Sequence, residues 1–147
     1  MSFRTSAFGL AAIVMLAAPP AIASDGLLPL PPDGFKTPSN NIVCIFDDTA
    51  SPVALRCDMG NLRPTKLRPP KGCNLGWGDA FALNEKGNTS ERMCHGDTIM
   101  HEDVMVLPYG KVWQHGAFTC RSEPGGLTCF NAQDHGFSLS RSSQRLF

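Results

Sequence analysis

The sequence predicts an all-β fold, a small disulfide-stapled antiparallel sandwich or barrel built from hairpins. Several short runs alternate apolar with polar residues, as strands with one buried face do. Six cysteines are spaced so that four of them can face one another across two hairpins. The chain has 14 glycines and 12 prolines, which supply frequent turns, and no segment shows sustained helical periodicity.

The first predicted hairpin spans residues 41–59. Centring its loop on residues 50 and 51 aligns three pairs of side chains: Phe46 with Leu55, Cys44 with Cys57, and Ile42 with Met59. All six lie on one face of the hairpin, because side-chain direction alternates along a strand. The alignment therefore predicts a disulfide between Cys44 and Cys57.

The second predicted hairpin spans residues 116–131 and turns at Pro124-Gly125. Counting outward from this turn aligns Glu123 with Gly126 and Cys120 with Cys129. Pro followed by Gly suits a type II turn better than the primed turns of tight hairpins, so we expect a loop wider than two residues.

A third bridge, Cys73 with Cys94, follows by elimination from the other two pairs. Structural zinc is the alternative use of cysteines, but the chain contains no CxxC pair. An even number of cysteines in an exported chain favours disulfides.

The remaining predicted elements are a proline-rich extended lead-in at 24–34, a domain from Phe35 to Phe147, a solvated basic loop at 63–71, a strand at 80–83, a turn at 84–88, apolar runs at 104–107 and 112–113, and a last strand at 137–141. In that last strand Phe137 and Leu139 face the interior and the intervening serines face water.

The first 23 residues have the features of a secretory signal peptide. Arg4 precedes an apolar run from Ala7 to Ala18, and Pro19-Pro20 leads to Ala21-Ile22-Ala23, after which we expect cleavage. The alternative is a membrane anchor, but about a dozen apolar residues fall short of the roughly 20 that span a bilayer. The protein is therefore expected to be exported, periplasmic or secreted, without a membrane span in its mature form.

Charge argues against nucleic acid as a partner. The chain carries 13 basic and 13 acidic residues, and removal of Arg4 with the signal leaves 12 against 13. Phosphate binding needs a clustered basic excess, which this balance lacks. The basic stretch at 63–71 is interrupted by prolines, and a patch for phosphate or a polymer is its alternative interpretation.

Several ordered motifs give the chain a family resemblance. They are Phe35-x-Thr37-Pro38-Ser39-x-Asn41-Ile42-x-Cys44, Arg56-Cys57-Asp58, Trp77-Gly78, Cys94-x-Gly96-Asp97, Leu107-Pro108-Tyr109-Gly110, Gly126-Leu127-Thr128-Cys129-x-Asn131 and His135-Gly136-Phe137-x-Leu139-Ser140-Arg141. The chain resembles the small exported bacterial proteins of domain-of-unknown-function family 6636 over residues 35–147. Asn40 stands where that family favours Gly, and Asn also tolerates a left-handed backbone. The resemblance implies export and fold, and it brings no activity.

Polar residues raise three chemistries: metal binding, nucleophilic catalysis by serine, and general acid-base catalysis. The four histidines are His95, His101, His115 and His135. His101 with Glu102, Asp103 and Asp97 could ligate a metal, but their spacing matches no metal motif, so neither a metal nor another cofactor is predicted. Asp134-His135 with the following serines lacks the nucleophile elbow of a serine hydrolase. Asp97, Glu102 or His135 could act as general acid or base if the fold brought two of them together.

Three aromatic residues are candidates for binding. Trp77, Tyr109 and Trp113 lie in predicted loops or at strand ends, where a flat ring can meet a sugar, a peptide or a protein surface. The alternative for each ring is to cap the small core.

Two functions follow as hypotheses. The first is a noncatalytic binding or inhibitor-like module of the cell envelope, whose partner is an envelope component or a secreted protein. The second is a small exported hydrolase that uses Asp97, His101 or His135 as acid or base, which requires a pocket that joins one of them to another titratable group.

Overall fold

Ten strands form in the part of the chain that the computed structural model describes, residues 33–63, 68–88 and 90–147. They are β1 (Gly34–Lys36), β2 (Ile42–Asp47), β3 (Ala54–Met59), β4 (Gly76–Asn84), β5 (Ser90–His95), β6 (Val112–His115), β7 (Phe118–Glu123), β8 (Gly126–Phe130), β9 (Gly136–Leu139) and β10 (Gln144–Leu146). The predicted signal peptide and nearly all of the predicted lead-in lie outside the described residues.

The strands form two antiparallel sheets of five, and each sheet follows chain order. One sheet has the order β1-β2-β3-β4-β5 and the other β10-β9-β8-β7-β6. The all-β prediction is confirmed, and of its two architectures the structure is sandwich-like rather than a closed barrel. None of the described backbone forms a helix long and apolar enough to cross a membrane.

Both hairpins have the predicted registers. In the first, Cys44 pairs with Cys57, and Ile42 and Phe46 pair with Met59 and Leu55. In the second, Cys120 pairs with Cys129. The expectation of a wide second loop is wrong, because Glu123 pairs with Gly126 and leaves a loop of two residues. Gly126 has a φ of 150°, which an L side chain rarely adopts, and so permits this tight return.

The three disulfides join Cys44 to Cys57, Cys73 to Cys94, and Cys120 to Cys129. The first and third pairs are fully buried between the sheets. Aromatic rings connect the sheets around them: Phe35 lies 5.1 Å from Trp113, and Phe81 lies 6.0 Å from Phe137, between ring centroids. The bridges Cys44–Cys57 and Cys120–Cys129 therefore form part of the apolar core. The bridge Cys73–Cys94 lies at its periphery.

Elsewhere the strands differ from the expected ones. The predicted strand at 80–83 is the end of the longer β4, and β5 was not predicted because its sequence, SERMCH, is mainly polar. The apolar run at 104–107 makes only a parallel bridge, between Val106 and Lys36 at the edge of β1. The strand predicted last, β9, is followed by β10.

Candidate functional site

A cleft of about 370 Å³ opens at one end of the sandwich, where loops of the two sheets meet. Its lining comes from the β1–β2 turn, the segment before β6, the β7–β8 hairpin and the turn after β9. The lining residues are Thr37, Ser39, Asn41, Ile42, Tyr109, residues 123–126 and residues 140–142. The cavity thus contains an aromatic ring together with hydroxyl, amide, carboxylate and guanidinium groups.

The β1–β2 turn forms a rigid wall of this cleft. Asn40 adopts the left-handed conformation, with a φ of 53°, as expected where the family favours Gly. The Thr37 hydroxyl accepts a hydrogen bond from the Ile42 amide at 3.2 Å. The Asn41 side chain accepts from the Asn61 amide at 2.8 Å and donates to the Asn61 carbonyl. The polar groups of this wall already have intramolecular partners.

Tyr109 is held at the cleft by backbone contacts on both sides. Before it, the Leu107 amide donates to the Lys36 carbonyl on β1 at 2.8 Å. After it, the Gly110 amide donates to the Ser122 carbonyl on β7 at 2.7 Å. The ring is 42% exposed. The segment therefore crosses from one sheet to the other and presents the ring to solvent between them.

The other two candidate rings lie elsewhere. Trp113 is 1% exposed and packs against Phe35 and His115, so it belongs to the core and offers no surface to a ligand. This burial agrees with the alternative interpretation of Trp113, a ring that caps the small core. Trp77 lies on β4 beside Cys94, away from the cleft lining, and is partly buried. Of the three candidates, the structure places Tyr109 alone in the cleft.

A second polar cluster lies on β3, β4 and β5. The buried carboxylate of Asp58 accepts hydrogen bonds from Arg56 at 2.9 and 3.0 Å and from the Ile99 amide at 3.0 Å. Arg56 also contacts Asp97 at 3.1 Å. These contacts fasten the segment after β5 to the face of β3.

His95 extends this cluster to β4. Its Nε2 lies 2.8 Å from a carboxylate oxygen of Asp79, and its Nδ1 lies 2.6 Å from the carbonyl oxygen of Asp97. Burial lowers the pKa of His95, but the hydrogen bonds to Asp79 and Asp97 and the charges of Asp79 and Asp58 outweigh burial, so the pKa is raised. Both hydrogen bonds of the ring go to acceptors on β4 and on the segment after β5, so the cluster fits an electrostatic clamp.

The predicted acid and base residues are not brought together. Asp97 contacts Arg56, while His101 is exposed in the loop after β5. His135 lies in the β8–β9 turn, where its amide donates to Asn131. Among the described residues, no hydrogen bond or ion pair joins any two of Asp97, His101 and His135. Of these three, Asp97 alone has a titratable partner among the described residues, Arg56, whose guanidinium stays protonated and cannot act as a base.

The core sulfurs are the described group that most resembles a metal site. Sulfur atoms of Cys44, Cys57 and Cys129 lie within 4.8 Å of one another. All three are bonded in disulfides, and a metal ligand must be a free thiolate. Their proximity results from the packing of two bridges across the core.

Three residues of these sites were not predicted: Glu123 and Arg141 in the cleft, and Asp79 as the partner of His95. Glu123 flanks the Pro124-Gly125 turn and Arg141 follows the strand of Phe137 and Leu139, so both lie beside elements that the sequence predicts. Their meeting depends on how two turns are placed in space, which local patterns do not encode. The pairing of β4 with β5 would have placed Asp79 near His95.

Comparison with known proteins identifies a family for this chain. The sequence profile described as a family of unknown function (DUF6636) matches residues 10–147. No curated protein and no solved structure matches the chain. The match extends beyond the motif-bearing region, which begins at Phe35, toward the N-terminus.

Proposed function

The chain belongs to the family of unknown function DUF6636, and from this premise we propose that it is a noncatalytic module that binds a saccharide of the cell envelope in the cleft beside Tyr109. The observation that carries the proposal is an exposed aromatic ring in a concave, polar cavity. We propose a ligand from the cell envelope because three disulfides are consistent with an oxidising, exported environment.

The chemistry of a sugar suits such a cleft. One face of a pyranose is a patch of C–H groups, which packs against an aromatic ring, while its hydroxyls seek hydrogen bonds at the rim. Tyr109 supplies the ring, and Ser142, Glu123 and Arg141 supply a hydroxyl, a carboxylate and a guanidinium group. Because the rim is held by backbone hydrogen bonds, little ordering entropy is lost when a ligand binds.

The alternatives have less support. A secreted protein partner fits a concave cavity less well than a small ligand does, since stable protein interfaces bury about 1,200–2,000 Å² in all. A hydrolase that uses Asp97, His101 or His135 lacks a paired acid and base in the described residues. The cluster around His95 holds Arg56 and three carboxylates but no nucleophile in contact with the ring.

The proposal is tested by titrating the oxidised protein with soluble glycan fragments of bacterial cell walls, with isothermal titration calorimetry as the readout. We expect Tyr109→Ala to weaken binding about tenfold, which corresponds to about 1.4 kcal/mol. Tyr109→Phe retains the ring and should bind within a few-fold of the parent protein.

A matched control is Leu75→Ala, which removes another exposed apolar side chain, 63% accessible and outside the cleft lining. Its affinity should equal that of the parent protein. The proposal fails if none of the fragments binds, or if Tyr109→Ala binds as tightly as Leu75→Ala.

A further inference from the structure

We infer that the saccharide bound in this cleft carries both an amine and a carboxylate, which Glu123 and Arg141 recognise. The inference rests on the proposed saccharide-binding function and adds the charge pattern of the ligand. It follows from which polar groups of the cleft have partners and which have none.

Most of the small polar groups in the cleft are already engaged. Thr37 and Ser39 bond to each other and to the turn backbone, Asn41 bonds to Asn61, and Ser140 bonds to Ser143. These contacts satisfy the groups and fix the shape of the walls. They leave little hydrogen-bonding capacity for a ligand.

Glu123, Tyr109 and Arg141 differ from these groups. In the described part of the chain, the side chains of these three residues make no hydrogen bond or ion pair, although all three line the cleft. Glu123 and Arg141 are of opposite charge and still do not pair within 4 Å. The cleft thus presents a carboxylate that can accept hydrogen bonds, a guanidinium group that can donate them, and an aromatic ring. None of these three groups makes a hydrogen bond or an ion pair with the described part of the protein.

The fold places the two charges at the same end of one sheet. Glu123 ends β7 and pairs with Gly126, the first residue of β8. Arg141 follows β9, whose Leu139 carbonyl approaches Gly126 so closely that a Cβ there would clash with it. The carbonyl of Arg141 also accepts a hydrogen bond from the Arg63 amide at 2.9 Å. Two neighbouring turns of fixed geometry therefore carry the charges.

Each charge selects a ligand group. A guanidinium donates two parallel hydrogen bonds to a carboxylate, a geometry that a neutral hydroxyl cannot match. A carboxylate accepts from an ammonium group more strongly than from a hydroxyl. With Tyr109 stacked on the sugar ring, a ligand that carries both groups engages Tyr109, Glu123 and Arg141 together.

Four monosaccharides separate these contributions, because they differ only in the two groups. N-acetylglucosamine carries neither charge, glucosamine carries the amine, N-acetylmuramic acid carries the carboxylate, and muramic acid carries both. Each is titrated at mildly acidic pH into the ¹⁵N-labelled oxidised protein, and amide shifts of the cleft residues report binding. We expect each charge to strengthen binding about fivefold, so muramic acid binds best and N-acetylglucosamine worst.

Two variants assign each contribution to its residue. Glu123→Gln should remove the advantage of the amine and leave that of the carboxylate, and Arg141→Gln should do the reverse. Glu91→Gln and Arg145→Gln are matched controls, because both residues are exposed and outside the cleft lining. They should leave all four affinities unchanged, and circular dichroism checks that every variant is folded.

The outcomes distinguish this inference from the function on which it rests. If N-acetylglucosamine binds as tightly as muramic acid, the charge pattern is wrong and saccharide binding stands. If cell-wall glycan fragments bind and none of the four sugars shifts the cleft residues, the charge pattern is again wrong. If neither the glycan fragments nor the sugars bind, both proposals are overturned.

Discussion

The imidazole of His95 lies between two oxygen atoms that only accept hydrogen bonds. One is the carbonyl of Asp97, 2.6 Å from Nδ1, and the other is the carboxylate of Asp79, 2.8 Å from Nε2. A neutral imidazole has a single N–H and can satisfy only one of them, whereas the protonated ring donates to both. The clamp between β4 and the segment after β5 is therefore complete only when His95 carries its proton.

This geometry predicts a pH-dependent stability. Because the pKa of His95 is raised in the folded protein, the stabilisation is fully present below the unfolded pKa of about 6.5 and is lost as pH rises through the folded pKa. His95→Asn should therefore lower the free energy of unfolding by about 1 kcal/mol at pH about 5.5 and by much less at pH about 8.5. Urea denaturation at both values measures this difference.

His101→Asn is the control for His95→Asn, because His101 is exposed and has no side-chain partner in the described residues. Its effect on the free energy of unfolding should be small. A ¹H–¹⁵N titration that places the pKa of the His95 ring at or below its ordinary value would contradict the clamp.

At the scale of elements, Asp58 joins β3 to the segment that follows β5. Its side chain is buried, since Asp58 is 1% exposed, and it accepts from Arg56, the Thr98 hydroxyl and the Ile99 amide. Asp58→Asn removes the charge that Arg56 faces and replaces one acceptor with a donor. We expect a loss of about 3 kcal/mol in the free energy of unfolding, measured by denaturant titration.

Asp48→Asn serves as the control for Asp58→Asn, because it makes the same chemical change at an exposed loop position. Its effect should stay within about 0.5 kcal/mol. Equal losses for the two variants would show that the Asp58 network contributes nothing specific.

Local patterns predicted the hairpins well and the meeting of distant segments poorly. Cys44 with Cys57 and Cys120 with Cys129 could be paired because a two-residue period and a turn together define a register. The strand β5 was not predicted because its residues are mainly polar. It lies at the edge of its sheet, where burial does not impose an alternation of apolar and polar residues. Tyr109 was predicted as a binding residue, but its neighbours in the cleft come from turns whose spatial relation depends on the packing of two sheets.

At the scale of the whole molecule, the two sheets enclose a core that contains four half-cystines. Cys44, Cys57, Cys120 and Cys129 are all fully buried. The bridges close loops with sequence separations of 13, 21 and 9 residues. Loops of this size are stabilised by about 3 kcal/mol per bridge, and a domain of this length has only about 5–15 kcal/mol in all. The fold therefore depends on its bridges.

Burial predicts the order in which a reductant opens these bridges. Cys94 is exposed and Cys73 partly so, whereas both core bridges are inaccessible until the sheets separate. A mild thiol under native conditions should therefore open Cys73–Cys94 first and leave the circular dichroism spectrum largely unchanged. The core bridges should open only with unfolding, so reduction of all three should yield a largely unfolded chain. Timed alkylation with peptide mass mapping measures the order, and early labelling of Cys44 or Cys129 in folded protein would contradict it.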